Sequence, residues 1–347
     1  MSGAKIQVGI VGMGHIARNR HLPAIHAHGD DVAIRAICDA DPAALERGRA
    51  DDPALRRADA YTDSRELLAD PAIDAVLLAL PNHLHLQGVQ QAAAAGKHIL
   101  LEKPIARTPA EADLVIAAAR QAGVMLMVAH SDRYSPVFRE TRRLLDEGAL
   151  GEVIAVHVDH HSNYVNPPGG WRRSRELIGG GCVMDTGIHQ LDLLSWYLGA
   201  PAEVFAYAAT DPARLESEVV CTAVFRFAGG AIAELFCNWG AFRSPPARVR
   251  HNEGLSVFGK RGSLYVMDDE TLVLASPTDD PRAPRTRELK VANPGEWVVM
   301  WGHFIDCLRT GATPLSNGPE SKKAVELVAA IYRSLDTGKP VTLPVPV

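Results

Sequence analysis

The chain has 347 residues, 47% of them apolar and 22% charged, which is ordinary composition for a globular protein of about two domains. Its formal net charge of -5 gives no electrostatic case for binding nucleic acid or an anionic membrane. The five cysteines lack metal-ligand or redox spacing, and no apolar run approaches the roughly 18 residues of a membrane span. With no secretory leader before the first strand-like run, we expect a cytoplasmic protein.

The first predicted strand covers residues 6–11 and stops at Gly12. Gly12-Met13-Gly14-His15-Ile16-Ala17 follows, and a helix is predicted from there to about residue 28. This is G-x-G-x-x-A between a strand and a helix, the context in which glycines let the backbone approach a pyrophosphate at a helix N-terminus. We therefore predict that Gly12, Gly14, His15 and Ile16 contact a dinucleotide.

The second predicted strand, residues 32–38, ends at Asp39. An acid at that position can accept hydrogen bonds from both ribose hydroxyls of an adenosine, and it would repel a 2′-phosphate. Ala40 follows, and no Arg comes immediately after it to receive such a phosphate. The pattern favours NAD, and NADP is the less favoured cofactor.

Predicted strands and helices then alternate up to residue 129, which indicates a doubly wound parallel sheet. The helices cover residues 41–50, 64–69, 86–95 and 109–122, and the strands cover residues 75–80, 97–101 and 124–129. Ligands of such sheets lie beyond the C-terminal ends of the strands. That rule brings Pro81-Asn82 and Glu102-Lys103 to the same rim as Gly12. Lys103 is either a solvated surface charge or a hydrogen-bond donor to a substrate oxygen, and His85 is either a cofactor-side residue or part of a simple turn.

The second half of the chain has a different texture. After a linking helix at 135–147, alternating runs indicate an antiparallel sheet, at residues 153–160, 203–207, 219–227, 231–239, 254–258 and 263–267. Residues 278–287 are predicted to form an exposed hairpin or loop, and helices are predicted near 298–310 and 320–337. We predict a Rossmann domain over residues 1–130 and an α+β domain over residues 131–347, whose last helix packs back on the first domain.

A triple glycine, Gly179-Gly180-Gly181, leads into a predicted helix that interrupts this sheet. Asp185 and His189 lie four residues apart, hence on one helix face, and Asp192 falls near the same stripe. A carboxylate beside an imidazole can fix its tautomer and raise its basicity, so the set is a candidate proton-transfer unit. The alternatives are a hydrogen-bonded polar stripe and a zinc site completed by His157, His160 or His161.

Together these motifs resemble the glucose–fructose oxidoreductase/inositol dehydrogenase/rhizopine catabolism (Gfo/Idh/MocA) family over nearly the whole chain. The resemblance rests on Gly9-x-x-Gly12-x-Gly14-x-x-Ala17, Pro81-Asn82-x-x-His85, Glu102-Lys103-Pro104, Arg133-x-x-Pro136, Gly148-x-Leu150-Gly151 and Gly179-Gly180-Gly181-x-x-x-Asp185-x-Gly187-x-His189-x-x-Asp192.

The resemblance implies a second domain built on an open-faced antiparallel sheet, often used for oligomer contacts, and a nicotinamide lying between the domains. It implies catalytic roles for Lys103, Asp185 and His189, with either Lys103 or His189 as the formal base. Glu102 and Asn82 would lie along the nicotinamide ribose, and the Lys103–Pro104 peptide is often cis in relatives. The complete set of expected cofactor contacts is Gly12, Gly14, His15, Ile16, Asp39, Leu80, Pro81, Asn82, His85, Glu102 and Lys103.

The sequence therefore predicts an NAD-dependent oxidoreductase, without a metal, acting on a hydroxyl carbon of a sugar, sugar derivative or cyclitol, in a homodimer or homotetramer. Lys103, Asp185 and His189 would also touch the substrate. Further substrate contacts are expected from residues of the second half, where Trp171 could instead pack the domain edge; they are Tyr134, His160, Tyr164, Trp171 and Arg172. Two other functions stay open: a glycoside-cleaving enzyme that retains NAD and oxidises its substrate transiently, and a non-catalytic NAD-binding sensor.

Overall fold

The computed structural model of the chain describes residues 4–161, 170–240, 253–278, 280 and 283–344. These residues form two compact units, each with its own sheet. The first unit comprises the chain up to Ser131 together with Pro294–Lys322, and the second comprises Asp132–Asn293 together with the residues from Lys323 onward. The segment Pro294–Lys322 thus belongs to the first unit, although most of the second unit precedes it in the chain.

The first unit is built on a six-stranded parallel sheet. Its strands are β1 (Ile6–Val11), β2 (Val32–Cys38), β3 (Asp59–Tyr61), β4 (Ala75–Leu78), β5 (His98–Leu101) and β6 (Leu126–Val128). They lie in the order β3-β2-β1-β4-β5-β6, so the strand order reverses between β1 and β4. That reversal creates the crevice in which doubly wound sheets bind ligands. All four residues of β4 are buried, as expected for a parallel strand whose two faces are both covered.

Five helices connect these strands: α1 (Leu22–Ala27), α2 (Pro42–Asp51), α3 (Ser64–Leu68), α4 (His85–Ala94) and α5 (Pro109–Ala122). The Asp41 side chain accepts the N–H of Ala43 and caps α2. The helix predicted through residue 28 ends one residue earlier and begins with a π-helical turn, Ala17–His21, in which Leu22 N–H donates to the carbonyl of Ala17, five residues back.

The second unit contains a nine-stranded sheet. Its helices include α6 (Pro136–Asp146), α7 (Arg175–Ile178) and α8 (Ile188–Leu198). The strands are β7 (Val153–His161), β8 (Pro201–Thr210), β9 (Glu218–Phe227), β10 (Ile232–Asn238), β11 (Glu253–Gly259), β12 (Gly262–Asp268), β13 (Thr271–Ser276), β14 (Arg285–Lys290) and β15 (Val341–Thr342). Their order is β14-β13-β12-β11-β7-β10-β9-β8-β15, and every neighbouring pair is antiparallel except β7 and β10.

Two long helices lie between β14 and β15, α9 (Glu296–Thr310) and α10 (Gly318–Thr337). α9 belongs to the first unit, and the unit boundary falls within α10. Among the described residues, none of the helices combines the length and the apolar character that crossing a membrane requires.

The predicted fold class, a Rossmann sheet followed by a mainly antiparallel sheet with helices, is confirmed. Four short or edge strands were missed: β3, β13, β14 and β15. The exposed hairpin or loop predicted at 278–287 agrees with the antiparallel pairing of β13 and β14, since this segment connects them and β14 begins at Arg285; residues 279, 281 and 282 lie outside the described part of the chain. β14 is almost entirely exposed and carries Arg, Glu and Lys, a composition that protects a sheet edge but lacks the apolar alternation by which strands are recognised.

Two glycines of the triple-glycine segment are required by the groups packed against them. A Cβ on Gly181 would lie 2.1 Å from the carbonyl oxygen of Glu218, and a Cβ on Gly180 would lie 1.8 Å from the Tyr332 hydroxyl. The buried Glu218 carboxylate accepts hydrogen bonds from Gly181 N–H (3.1 Å), Val183 N–H (3.0 Å) and the Tyr332 hydroxyl (3.0 Å). It thereby satisfies N–H groups that a helix N-terminus leaves without partners, and its negative charge suits that end of the helix.

We predict that Gly181→Ala lowers the apparent free energy of unfolding by about 1–3 kcal/mol, because the methyl group must displace the Glu218 backbone. Gly229→Ala is the matched control, since a Cβ there meets no atom within 4 Å. Urea unfolding followed by circular dichroism measures both. Equal unfolding midpoints for the two variants would contradict the close approach of Glu218.

Candidate active site

The loop after β1 contains two glycines with different surroundings. Gly12 has φ +96°, and a Cβ there would lie 2.3 Å from the carbonyl oxygen of Ala79, so this close approach requires glycine. Gly14 is exposed, and a Cβ there would have no atom of the chain within 4 Å. The chain therefore leaves space beside Gly14, as the approach of a pyrophosphate to the next helical turn requires. His15 is exposed and Ile16 is half-buried on the same loop.

Asp39 is held at the end of β2 by its own chain. One carboxylate oxygen accepts Met13 N–H from the glycine loop at 2.8 Å, and the other accepts Asp41 N–H at 2.9 Å. The side chain is half-buried, and each carboxylate oxygen can accept a second hydrogen bond. The donor set that NAD would offer, two ribose hydroxyls, fits this carboxylate, whereas the 2′-phosphate of NADP would face its negative charge.

His85 connects two of the rim segments. Its Nδ1 lies 2.7 Å from the carbonyl oxygen of Pro104, and its Nε2 lies 2.9 Å from that of Leu80. Complete burial lowers the pKa of His85, while the two carbonyl groups act in the opposite direction by favouring a proton on each nitrogen. Both ring nitrogens are thus used within the chain, and a direct contact of His85 with cofactor stays a prediction. Pro81 is half-buried and Asn82 is buried on the same turn.

Glu102 and Lys103 follow β5, and a chain of hydrogen bonds holds them. Trp301 Nε1–H donates to His21 Nδ1 (3.1 Å), so the proton of a neutral His21 is on Nε2 and is donated to a Glu102 carboxylate oxygen (2.8 Å). The other Glu102 oxygen accepts Lys103 N–H (3.0 Å). Burial acts to raise the pKa of Glu102, but the His21 hydrogen bond and the Lys103 charge outweigh it and hold that pKa below its ordinary value.

The Lys103–Pro104 peptide is cis, and Lys103 itself is half-buried. The hydrogen bonds around Glu102 therefore fix the backbone from which the Lys103 side chain extends. Whether Glu102, Asn82 and the other rim residues contact the nicotinamide ribose stays a prediction.

Asp185 and His189 are in the second unit, but they do not share one regular helix as predicted. Asp185 lies in a π-helical turn, Val183–Gly187, and His189 lies in the first turn of α8. The buried Asp185 carboxylate faces Arg172, with 3.5 Å between Oδ2 and Nε, and the Arg172 guanidinium lies over the Trp171 ring, 4.6 Å from its centre. Asp185 is therefore paired with a cation that the sequence analysis had assigned only to substrate.

His189 has an acid beside it that the sequence analysis did not single out. Its Nδ1 lies 3.5 Å from Oδ1 of Asp132, and both side chains are largely shielded from solvent. Asp132 belongs to a 3₁₀ turn, Ser131–Tyr134, that follows β6. The signal available in the sequence was an acid directly beside the Arg133-x-x-Pro136 motif, shortly after the end of a predicted parallel strand.

Asp192, which the sequence places near the stripe of Asp185 and His189, is paired with Arg133. Its two oxygens accept Arg133 Nε–H at 2.6 Å and Arg133 Nη2–H at 2.9 Å, and both side chains are 1% exposed. Arg133 also lies over the Trp196 ring, 5.7 Å from its centre. A bidentate, fully buried pair of this kind serves to fix geometry.

The expected substrate-side residues fall into three groups. Tyr134 and His160 are buried, Trp171 and Arg172 are half-buried on the 3₁₀ turn Gly170–Arg173, and Tyr164 lies outside the described residues. Their contact with substrate stays a prediction. Of the histidines considered as zinc ligands, His157 pairs with Glu234 and His161 with Asp159. Over the described ranges, no three His, Cys, Asp or Glu side chains are grouped as a metal site requires.

Two family models match this chain. Residues 6–130 match the model described as the oxidoreductase family with an NAD-binding Rossmann fold, and residues 138–265 match the GFO/IDH/MocA C-terminal domain. The 1,5-anhydro-D-fructose reductase of Ensifer adhaerens is 36% identical over 342 residues, covering 95% of this chain and 96% of that protein. The chain belongs to the Gfo/Idh/MocA oxidoreductase family. It carries the family's NAD-binding Rossmann fold, and the predicted family and cofactor are confirmed.

Other family members resemble the chain over similar lengths. The D-apiose dehydrogenase of Paraburkholderia graminis is 30% identical, covering 96% of this chain and 88% of its own. Among solved structures, the WlbA dehydrogenase of Bordetella pertussis, in complex with NADH and UDP-GlcNAcA, has a TM-score of 0.82 at 28% identity, covering 99% of this chain and all of that one. A levoglucosan dehydrogenase with NADH and levoglucosan has a TM-score of 0.88 at 21% identity, and at that identity the likeness shows the fold alone.

We predict that Gly14→Ala leaves the apparent melting temperature of the cofactor-free protein unchanged, because the new methyl group meets nothing in the chain. The same change should raise the NADH dissociation constant at least about tenfold, or about 1.4 kcal/mol, since the methyl group takes the space beside the glycine loop. Gly229→Ala is the control. Thermal unfolding and titration of NADH fluorescence measure the two effects. Unchanged NADH affinity in Gly14→Ala would contradict the prediction that the cofactor binds beside the glycine loop.

Proposed function

We propose that the protein transfers a hydride between NAD and a hydroxyl-bearing carbon of a sugar, sugar derivative or cyclitol. The observation that carries the proposal is that a protein with an NAD-binding Rossmann fold holds two proton-carrying side chains by hydrogen bonds or charges of its own: Lys103 in the first unit and His189 in the second. The relatives named as acting on 1,5-anhydro-D-fructose and D-apiose support the substrate class. NAD is preferred over NADP because of Asp39.

In the proposed chemistry, the hydride and the proton of the substrate alcohol are transferred to different groups. When bound, the nicotinamide accepts or donates the hydride. In the oxidative direction the substrate hydroxyl loses its proton to a base, and we assign that proton to His189 or Lys103. Lys103, when protonated, donates a hydrogen bond to the substrate oxygen as negative charge develops on it. Asp185 contributes a negative charge to the proposed proton-transfer set of Lys103, Asp185 and His189, and its pairing with Arg172 holds it in place.

The two parts of the chain have different proposed tasks. Residues 1–130 bind the cofactor, and residues 131–347 bind substrate and form oligomer contacts. Tyr134, His160, Tyr164, Trp171 and Arg172 are the proposed substrate contacts, because an aromatic ring with hydrogen-bonding neighbours suits a sugar or cyclitol ring. All five cysteines are buried free thiols, which supports a reducing compartment such as the cytoplasm.

The outward face of the second sheet supports self-association. Along β9 the residues from Val219 to Phe227 alternate, with every second one buried, so the intervening residues face outward. Tyr207, Val224 and Ile232 on three adjacent strands are exposed by 72%, 46% and 50%. An apolar surface of this kind is uncommon on a protein that stays monomeric. We propose that a second copy of this chain covers it, since identical patches related by a twofold axis bury each other.

The central experiment is an NADH-absorbance screen in both directions. Pentoses and inositols are tested for oxidation with NAD or NADP, and 1,5-anhydro-D-fructose is tested for reduction with NADH or NADPH. We expect turnover of at least one of these compounds, and we expect Lys103→Ala and His189→Ala each to lower kcat by about 10²–10⁴-fold while NADH binding is retained. Lys260→Ala and His26→Ala are controls, as both residues form exposed ion pairs elsewhere. Wild-type rates in both site variants would overturn the assignment of the site.

The same screen separates the other functions. Release of an aglycone from a glycoside without net NADH would support the NAD-retaining glycoside-cleaving enzyme. NADH binding without turnover of any sugar, polyol or glycoside would support a sensor. The comparison of NAD with NADP tests the prediction that Asp39 favours NAD. That prediction is wrong if the rate with NADP is at least about tenfold higher than the rate with NAD.

We predict that Val224→Glu lowers the molar mass of the protein in solution, because a charge on the outward face must be desolvated in the interface. Light scattering coupled to size-exclusion chromatography measures the mass, and circular dichroism verifies folding. Leu114→Glu is the control, since Leu114 is a similarly exposed residue on α5. A monomeric wild type, or an unchanged mass for Val224→Glu, would contradict an interface on this face.

A further inference from the structure

The turn that carries Asp132 is attached to α8 at two consecutive residues. Arg133 donates two hydrogen bonds to Asp192, and the preceding residue, Asp132, faces His189. His189 and Asp192 are three residues apart, so both lie on the same side of α8. Two consecutive residues of the turn thus contact two residues on one side of α8: Asp132 contacts His189, and Arg133 contacts Asp192.

The two contacts differ in burial and in strength. The Arg133–Asp192 pair is bidentate and 1% exposed on each side, so both ions are satisfied and the turn is held in one register. The Asp132–His189 contact is longer, at 3.5 Å, and its side chains are 11% and 13% exposed. The stronger pair therefore determines where the carboxylate of the weaker pair lies. Contacts at catalytic groups are often long without substrate and shorten when it binds.

We propose that Asp132 is the positioning residue that fixes the tautomer and raises the basicity of His189; this rests on the proposed function. The Asp132 carboxylate accepts the proton on Nδ1, which leaves the Nε2 lone pair available. On oxidation of the substrate, Nε2 takes the hydroxyl proton and the ring becomes an imidazolium beside the ionised Asp132. Asp132 gains no proton in this step; it stabilises the positive charge.

Other charged groups near α8 are already paired in ways that leave this role to Asp132. Asp192 is neutralised by Arg133, and Asp185 faces Arg172. Arg142 of α6 donates to the Trp196 carbonyl of α8 and to Asp146. The titratable and charged side chains on α8, on the preceding π-helical turn and on the segments around them include Asp132, Arg133, Arg142, His160, Arg172, Cys182, Asp185, Asp192, Tyr197, Glu218 and Cys237.

Asp132→Asn tests the proposal because it removes the charge and keeps the shape. Removing a negative charge beside His189 disfavours the imidazolium, so the pKa of His189 should fall by about one unit. The acid limb of kcat/KM for oxidation, where His189 must be neutral, then moves to lower pH. We expect kcat to fall about 10–10³-fold, with the NADH dissociation constant unchanged. Glu152→Gln is the control, since Glu152 is an exposed acid paired with Lys260.

A second readout needs no substrate. Histidine-ring ¹⁵N NMR distinguishes the two neutral tautomers, and the His189 signals are those lost in His189→Gln. We expect the Nδ1–H form in the wild type and in Asp185→Asn, and a loss of that preference in Asp132→Asn. The proposal is overturned if Asp132→Asn leaves the tautomer and the pKa of His189 unchanged, or if Asp185→Asn alone changes them.

Activity of the variants separates failure of this inference from failure of the proposed function. If His189→Ala is inactive while Asp132→Asn behaves as wild type in kinetics and NMR, Asp132 is not the positioning residue and the proposed function stands. If His189→Ala retains wild-type activity, the proposed proton-transfer role of His189 is wrong, and with it the proposed function. A fall in kcat of Asp132→Asn accompanied by an equal weakening of NADH binding would indicate general loosening and contradict a positioning role.

Discussion

The buried ion pair between Arg133 and Asp192 is the constraint on which the arrangement around His189 depends. Its two short hydrogen bonds lie away from water, where an unpaired charge would cost several kcal/mol. Such a pair contributes little net stability compared with an apolar contact, but it permits only one alignment of the turn with α8. That alignment places Asp132 beside His189.

In the first unit, hydrogen bonds likewise hold the segments that follow the strands of the parallel sheet. His21 and Trp301 hold Glu102, Glu102 holds the backbone of Lys103, and His85 connects the segments that contain Leu80 and Pro104. Groups fixed in this way need little reorganisation when charge develops on a substrate. Gly14 and the second lone pairs of Asp39 are left accessible, and these are the features that a dinucleotide needs.

The sequence was informative where local chemistry dictates structure. The G-x-G-x-x-A motif, Asp39 and the alternation of apolar strands with helices predicted the parallel sheet and its order of elements. Period-two runs predicted six of the nine strands of the second sheet. β14 was missed because its exposed, charged residues have no apolar face. The π-helical turn at Val183–Gly187 was missed because nothing in the spacing of Asp185 and His189 distinguishes a wider turn from an α-helix. The pairing of Asp192 with Arg133 joins residues 59 positions apart, and no local pattern predicts such a contact.

Direct transfer of hydrogen between NADH and a sugar carbon is the central claim for this protein. The most direct measurement uses NADH deuterated at C4 of the nicotinamide, with the carbonyl compound that the protein reduces, and mass spectrometry of the alcohol product. The proposed chemistry predicts one deuterium on the new C–H carbon, with deuterium from one face of the nicotinamide only. Deuterium lost to water, or a product without label from either face, would contradict hydride transfer as the reaction of this protein.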